Sequence, residues 1–113
     1  MQNVGWELKI ESGTGGIMTA IAELGGDLSI ANVSQIKKHL EQVLDAECNL
    51  ELKIHSVSAV DTAFFQLWHS YLNVCQASNL RCSLVEDPSG LVTRTAGLVG
   101  LDHLIITAAG KNP

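Results

Sequence analysis

Residues 50–79, LELKIHSVSAVDTAFFQLWHSYLNVCQASN, change their hydrophobic period part-way along, and that change constrains the fold more than any other feature of the chain. Leu50, Leu52 and Ile54 alternate with Glu51, Lys53 and His55, the period of a strand with one dry and one wet face. Beyond Asp61-Thr62-Ala63 the spacing becomes helical: Phe64, Leu67, Trp68, Tyr71, Leu72 and Cys75 fall on one stripe. A strand must therefore hand over to a helix at Asp61-Thr62. There the first amide N–H groups of the helix lack partners and the positive end of its dipole meets solvent. A hydroxyl beside a carboxylate at such a junction is the first place to look for chemistry or regulation, and helix capping is the plain structural use of the same two residues.

The flanking sequence supplies the rest of an α/β pattern. Residues 6–10 alternate apolar and charged side chains and residues 17–24 form a second strand-like run; the Gly-rich segment 12–16 between them predicts a hairpin. No Gly-Lys-Ser/Thr follows those glycines, so they read as a turn and not as a phosphate cradle. Gly25-Gly26-Asp27-Leu28-Ser29 is expected to break the second strand. Val33, Ile36, Leu40, Val43 and Leu44 then recur at helical spacing, with Ser29 or Asn32 as the cap. Strand, helix and strand in succession imply a parallel pair with a right-handed crossover. The helix from Thr62 should end at 77–79, where Asn79 can take a left-handed conformation. A strand at 81–86, a turn at 87–90, a short helix carrying Leu91, Thr95, Leu98 and Val99, an edge strand at 104–106 and a frayed tail at 110–113 complete the chain. The order β-β-α-β-α-β-α-β predicts one α/β domain over 1–113 with a mixed, largely parallel sheet. The alternation of Glu51, Lys53 and His55 places the helices mainly on one face.

Composition narrows the function classes. The chain has 113 residues, 46% hydrophobic and 17% charged, which is globular. A net charge of −5 argues against nucleic-acid and anionic-membrane partners, which need a basic surface. No apolar run has the length of a membrane span and no secretory signal opens the sequence, so no membrane insertion and a cytoplasmic location are expected. Cys48, Cys75 and Cys82 read as reduced thiols, and the four histidines show no ligand spacing, so no metal is expected. Adjacent Asp61 and Thr62 make no catalytic dyad by themselves, since neighbouring side chains diverge, and the sequence holds no GxSxG, HExxH or GxGxxG, which points away from an enzyme and from a cofactor.

The order of elements and two local motifs resemble the STAS domain family of bacterial anti-sigma factor antagonists. Gly26-Asp27-Leu28-Ser29 stands where that family has a Gly-Glu-Leu-Asp-like turn before its first helix. Asp61-Thr62-Ala63-Phe64 stands where an Asp-Ser-Ser-Gly or Asp-Thr-Gly/Ala-Gly-like motif opens the second helix. The strand and turn from Arg81 onward, ending Val99-Gly100-Leu101, also fit, and the resemblance covers about residues 17–106. It departs from the family at Phe64, which replaces a small glycine, and at Ser29, which replaces an acidic residue.

This resemblance implies a non-enzymatic signalling module that binds a regulatory protein or serine/threonine kinase and is switched by phosphorylation of Thr62. Asp61, Thr62, Ala63, Phe64, Asp27 and Ser29 would then form the partner-binding surface. A homo-oligomer is compatible with it. Two alternatives come with the same fold: a small STAS subunit docking on the ATPase of a lipid-transport ABC complex, and a nucleotide-binding module.

Overall fold

The computed structural model describes residues 4–11, 16–86, 90–100 and the backbone of 106 and 107. Five strands, β1 (Val4–Glu11), β2 (Thr19–Leu28), β3 (Asn49–Val60), β4 (Cys82–Glu86) and β5 (Ile106–Thr107), form one sheet in the order β1-β2-β3-β4-β5. The β1–β2 pair is antiparallel and the remaining three pairs are parallel. Among the described residues three helices connect the parallel strands: α1 (Val33–Asp45), α2 (Thr62–Ala77) and α3 (Leu91–Leu98). The mixed, largely parallel α/β architecture read from the sequence is the one observed. Residues 12–15, 87–89, 104–105 and 110–113, on which the expected hairpin turn, second turn, early edge strand and tail partly fall, lie outside the described residues.

Alternation decides which face is dry. Ala20, Ala22 and Leu24 of β2, Leu50, Leu52 and Ile54 of β3, and Leu84 of β4 are buried and lie in register. The helices meet this face with Ile36, Leu40 and Val43 of α1, Phe64, Phe65, Trp68, Tyr71 and Cys75 of α2, and Val92 and Ala96 of α3. On the opposite face, exposed Glu23 accepts from His55 Nε2 across the β2–β3 pair at 3.0 Å. Trp6 of β1 stacks on His39 of α1, with ring centroids 4.7 Å apart, and partial burial there pulls the imidazole below its ordinary pKa. Among the described residues the three cysteines are free, and no helix is long and apolar enough to cross a membrane.

Two local expectations are corrected. The glycine pair does not break β2, which runs on through Gly25 and Gly26 to Leu28. At Gly25 a Cβ would meet the His55 carbonyl oxygen at 2.3 Å, so the absence of a side chain lets the two strands stay paired where the ladder changes register. Asn32 occupies the N-cap position of α1 without a side-chain capping bond; its Nδ2 donates back to the Asp27 carbonyl at 2.8 Å. The end of α2 is as expected: Asn79 takes φ 59° just beyond the helix.

Candidate functional site

The β2–α1 loop and the start of α2 meet at one end of the sheet, and the register of β3 brings them together. Leu24 pairs with Ile54, but Leu28, four residues on, pairs with Val60 and not with Ser58. The ladder shifts between Leu24 and Gly26 and again between Gly26 and Asp27, each time inserting one extra residue in β3. Ser56, at φ 55°, lies within the first shift. The two insertions carry Asp61 to the loop that follows Leu28.

Asp61 then serves two elements. Its backbone is extended, as an N-cap requires, and its Oδ1 accepts from the Ala63 N–H at 3.1 Å. Its Oδ2 accepts from the Ile30 N–H at 2.9 Å, thirty-one residues away in sequence. One carboxylate thus caps α2 and fastens the β2–α1 loop to it. Within that loop Asp27 Oδ1 accepts from the Ser29 N–H at 2.9 Å, and the Asn32 N–H donates to the Ser29 carbonyl at 2.9 Å. The Ser29 hydroxyl and N–H together hold the Asp27 carboxyl below its ordinary pKa.

Thr62 is the first residue of α2, exposed, and its hydroxyl makes no hydrogen bond among the described residues. The capping role that Asp61 and Thr62 could equally have filled therefore falls to Asp61 alone. Ala63 is half-buried and its N–H is engaged by Asp61. Phe64 is the correction: expected on the partner-binding surface, it is 0% exposed, and Phe65 is 2% exposed. Their rings pack edge to face at 5.8 Å in the core, because both fall on the side of α2 that turns to the sheet. Asp27, Ser29, Asp61 and Thr62 are brought to one end of the molecule, and Phe64 lies in the core instead.

Ile30 was not singled out by sequence reasoning. It is 73% exposed beside Asp61, to which its N–H is bonded. The available signal was an apolar residue in a polar turn, off the α1 stripe of Ile36, Leu40 and Val43. The Asp27 and Asp61 carboxyl groups both lie in stretches poor in cations: residues 10–36 and 54–80 contain no Lys or Arg. Among the described residues no His, Cys, Asp and Glu cluster has the form of a metal site.

No protein-family profile and no curated protein sequence matches this chain. Solved structures do. The anti-sigma factor antagonist SpoIIAA in its unphosphorylated form matches with a TM-score of 0.63 at 20% identity, over 90% of this chain and 88% of its own. The phosphorylated form of SpoIIAA, a Bacillus cell fate determinant, matches with a TM-score of 0.58 at 19% identity, over 90% and 91%. Sheet order, crossover helices and these superpositions agree: the chain has the STAS fold, the fold of the anti-sigma factor antagonist SpoIIAA.

Proposed function

We propose that this chain is a non-catalytic protein-binding module that changes partners when Thr62 is phosphorylated. The observation that carries the reading is an exposed hydroxyl on the first residue of α2, without a hydrogen bond among the described residues, next to a carboxylate that ties the β2–α1 loop to the helix start. The SpoIIAA fold, solved in a phosphorylated and an unphosphorylated form, supports it. In the unmodified chain Ile30, Ala31 and Thr62 offer a neutral, partly apolar patch rimmed by Asp27 and Asp61. A partner kinase or regulatory protein of the cytoplasm docks there and desolvates the threonine. Transfer joins the Thr62 oxygen to the γ-phosphorus of the kinase's ATP; ADP leaves and the hydroxyl proton passes to a base on the kinase. The product carries about −1.5 to −2 additional charges at neutral pH. The N-terminus of α2 favours that charge locally, so the fold survives it. A docked partner must instead desolvate a phosphate between two aspartates, and it is released.

The test is incubation with ATP and the serine/threonine kinase encoded nearest to the chain, followed by intact mass. One phosphoryl group should be added, kept in Thr62→Ser and lost in Thr62→Ala. Phosphate that persists in Thr62→Ala would place the modification elsewhere.

A further inference from the structure

We propose that the outer edge of β1 is a homodimer interface, at which a second copy of this chain pairs antiparallel in a register centred on Leu8. β1 ends the sheet order, with β2 on one side and no strand on the other among the described residues. An eight-residue strand with an open edge is a template for another strand. Its side chains argue for use of that edge. Trp6, Leu8 and Ile10 lie opposite buried Leu24, Ala22 and Ala20 on the helix side of the sheet. His39 of α1 covers Trp6, yet Leu8 stays 42% and Ile10 45% exposed. The other face of the strand carries Glu7, Lys9 and Glu11, all exposed.

These charges identify the occupant. In an antiparallel pair related by a two-fold axis through Leu8, Leu8 opposes its own copy and Trp6 opposes Ile10 twice. On the polar face Glu7 opposes Lys9, also twice, and Glu11 falls opposite Gly5. Apolar residues meet apolar residues, Glu7 meets Lys9, and no like charges are set opposite each other. Centring on Lys9 would set Lys9 against itself and Glu7 against Glu11. Centring on Glu7 sets Glu7 against itself. Centring on Ile10 keeps a match of Lys9 with Glu11 but pairs little of β1. The charges that commonly guard an edge strand are thus self-complementary in one full-length register, and the two-fold closes the assembly at two copies. The residues around Thr62 follow β2 and β3 and are not on this edge.

Sedimentation velocity of the full chain over a range of concentrations tests the proposal, with circular dichroism as the check on folding. A reversible monomer–dimer equilibrium is expected, weakened ten-fold or more by Glu7→Lys and by Lys9→Glu, each of which sets like charges opposite each other twice. An equimolar mixture of the two variants should regain the wild-type association, because each now presents the charges the other lacks; the double variant Glu7→Lys/Lys9→Glu should regain it alone. The mixture also shows that both variants are folded. A wild-type chain that stays monomeric to about 1 mM, variants that dimerise as the wild type does, or a mixture that fails to associate would each overturn the proposal.

Discussion

Among the described residues two helices, α2 and α3, begin under a carboxyl group, and the two starts differ in burial and in what the carboxyl oxygens hold. At α3 the N-cap position is Gly90, and the acceptor comes from the end of β4: Glu86 Oε2 accepts from the Val92 N–H at 3.3 Å, and Oε1 from the Thr93 N–H at 2.5 Å and the Thr93 hydroxyl at 2.7 Å. Glu86 is only 4% exposed, the one buried charged-type residue among those described. At α2 the acceptor is Asp61 itself, half-exposed, with one oxygen on its own helix and the other on a neighbouring loop. A buried carboxyl group is tolerable because donors occupy both oxygens, and it cannot be disturbed without leaving amides unpaired. Water can replace what the surface cap loses. Modification is therefore cheap at α2 and costly at α3.

Mutations can break this contrast. The largest effect should come from Glu86→Ala, which strands two amides and a hydroxyl and is expected to lower unfolding free energy by about 2–3 kcal/mol in urea titration. A Cβ at Gly90 would lie 2.3 Å from Glu86 Cδ. Gly90→Ala should push the carboxyl group off the helix and cost a similar amount, and the double variant should cost little more than either alone. Asp61→Ala should cost less, about 1 kcal/mol for the cap, while amide exchange at Ile30 quickens as the loop comes free. If Asp61→Ala proves as costly as Glu86→Ala, the two starts are equivalent and the contrast fails.

Smaller effects sharpen it. Thr62→Ala should change stability by less than about 0.5 kcal/mol, since Thr62 follows the cap and is exposed. The acid limb adds a further check. The native Asp27 pKa lies below its ordinary value of 3.8, so its contribution is present above 3.8 and is lost as pH falls through the lowered native value. Asp27→Asn should flatten the stability–pH curve in that acid window and leave it unchanged at neutral pH.

What the sequence revealed depended on distance along the chain. The α2 cap was legible because Asp61 bonds an amide two residues away, and the dry and wet faces of β3 were legible because alternation is local. The Asp61–Ile30 bond was not, since it rests on two shifts in the β2–β3 ladder that no periodicity announces. Gly25-Gly26 misled for the same reason: glycines that usually end a strand here serve the close approach of His55. Glu86 went unread although it shares a face with buried Leu84, and that alternation was the available sign that it points inward. Phe64 could be read two ways. The family resemblance placed it among the surface residues at the start of α2, the apolar stripe of that helix placed it in the core, and burial won.

The central claim is that charge on Thr62 leaves the fold intact and removes the partner. It is tested most directly by installing phosphothreonine at position 62 during synthesis and measuring, on the same sample, thermal unfolding and affinity for the proposed partner, the serine/threonine kinase encoded nearest to the chain. The melting temperature should stay within about 3 °C of the unmodified chain. Affinity should fall at least ten-fold, for which ~1.4 kcal/mol suffices. Equal affinity for the two forms, or a phosphorylated chain that no longer folds, would contradict the account.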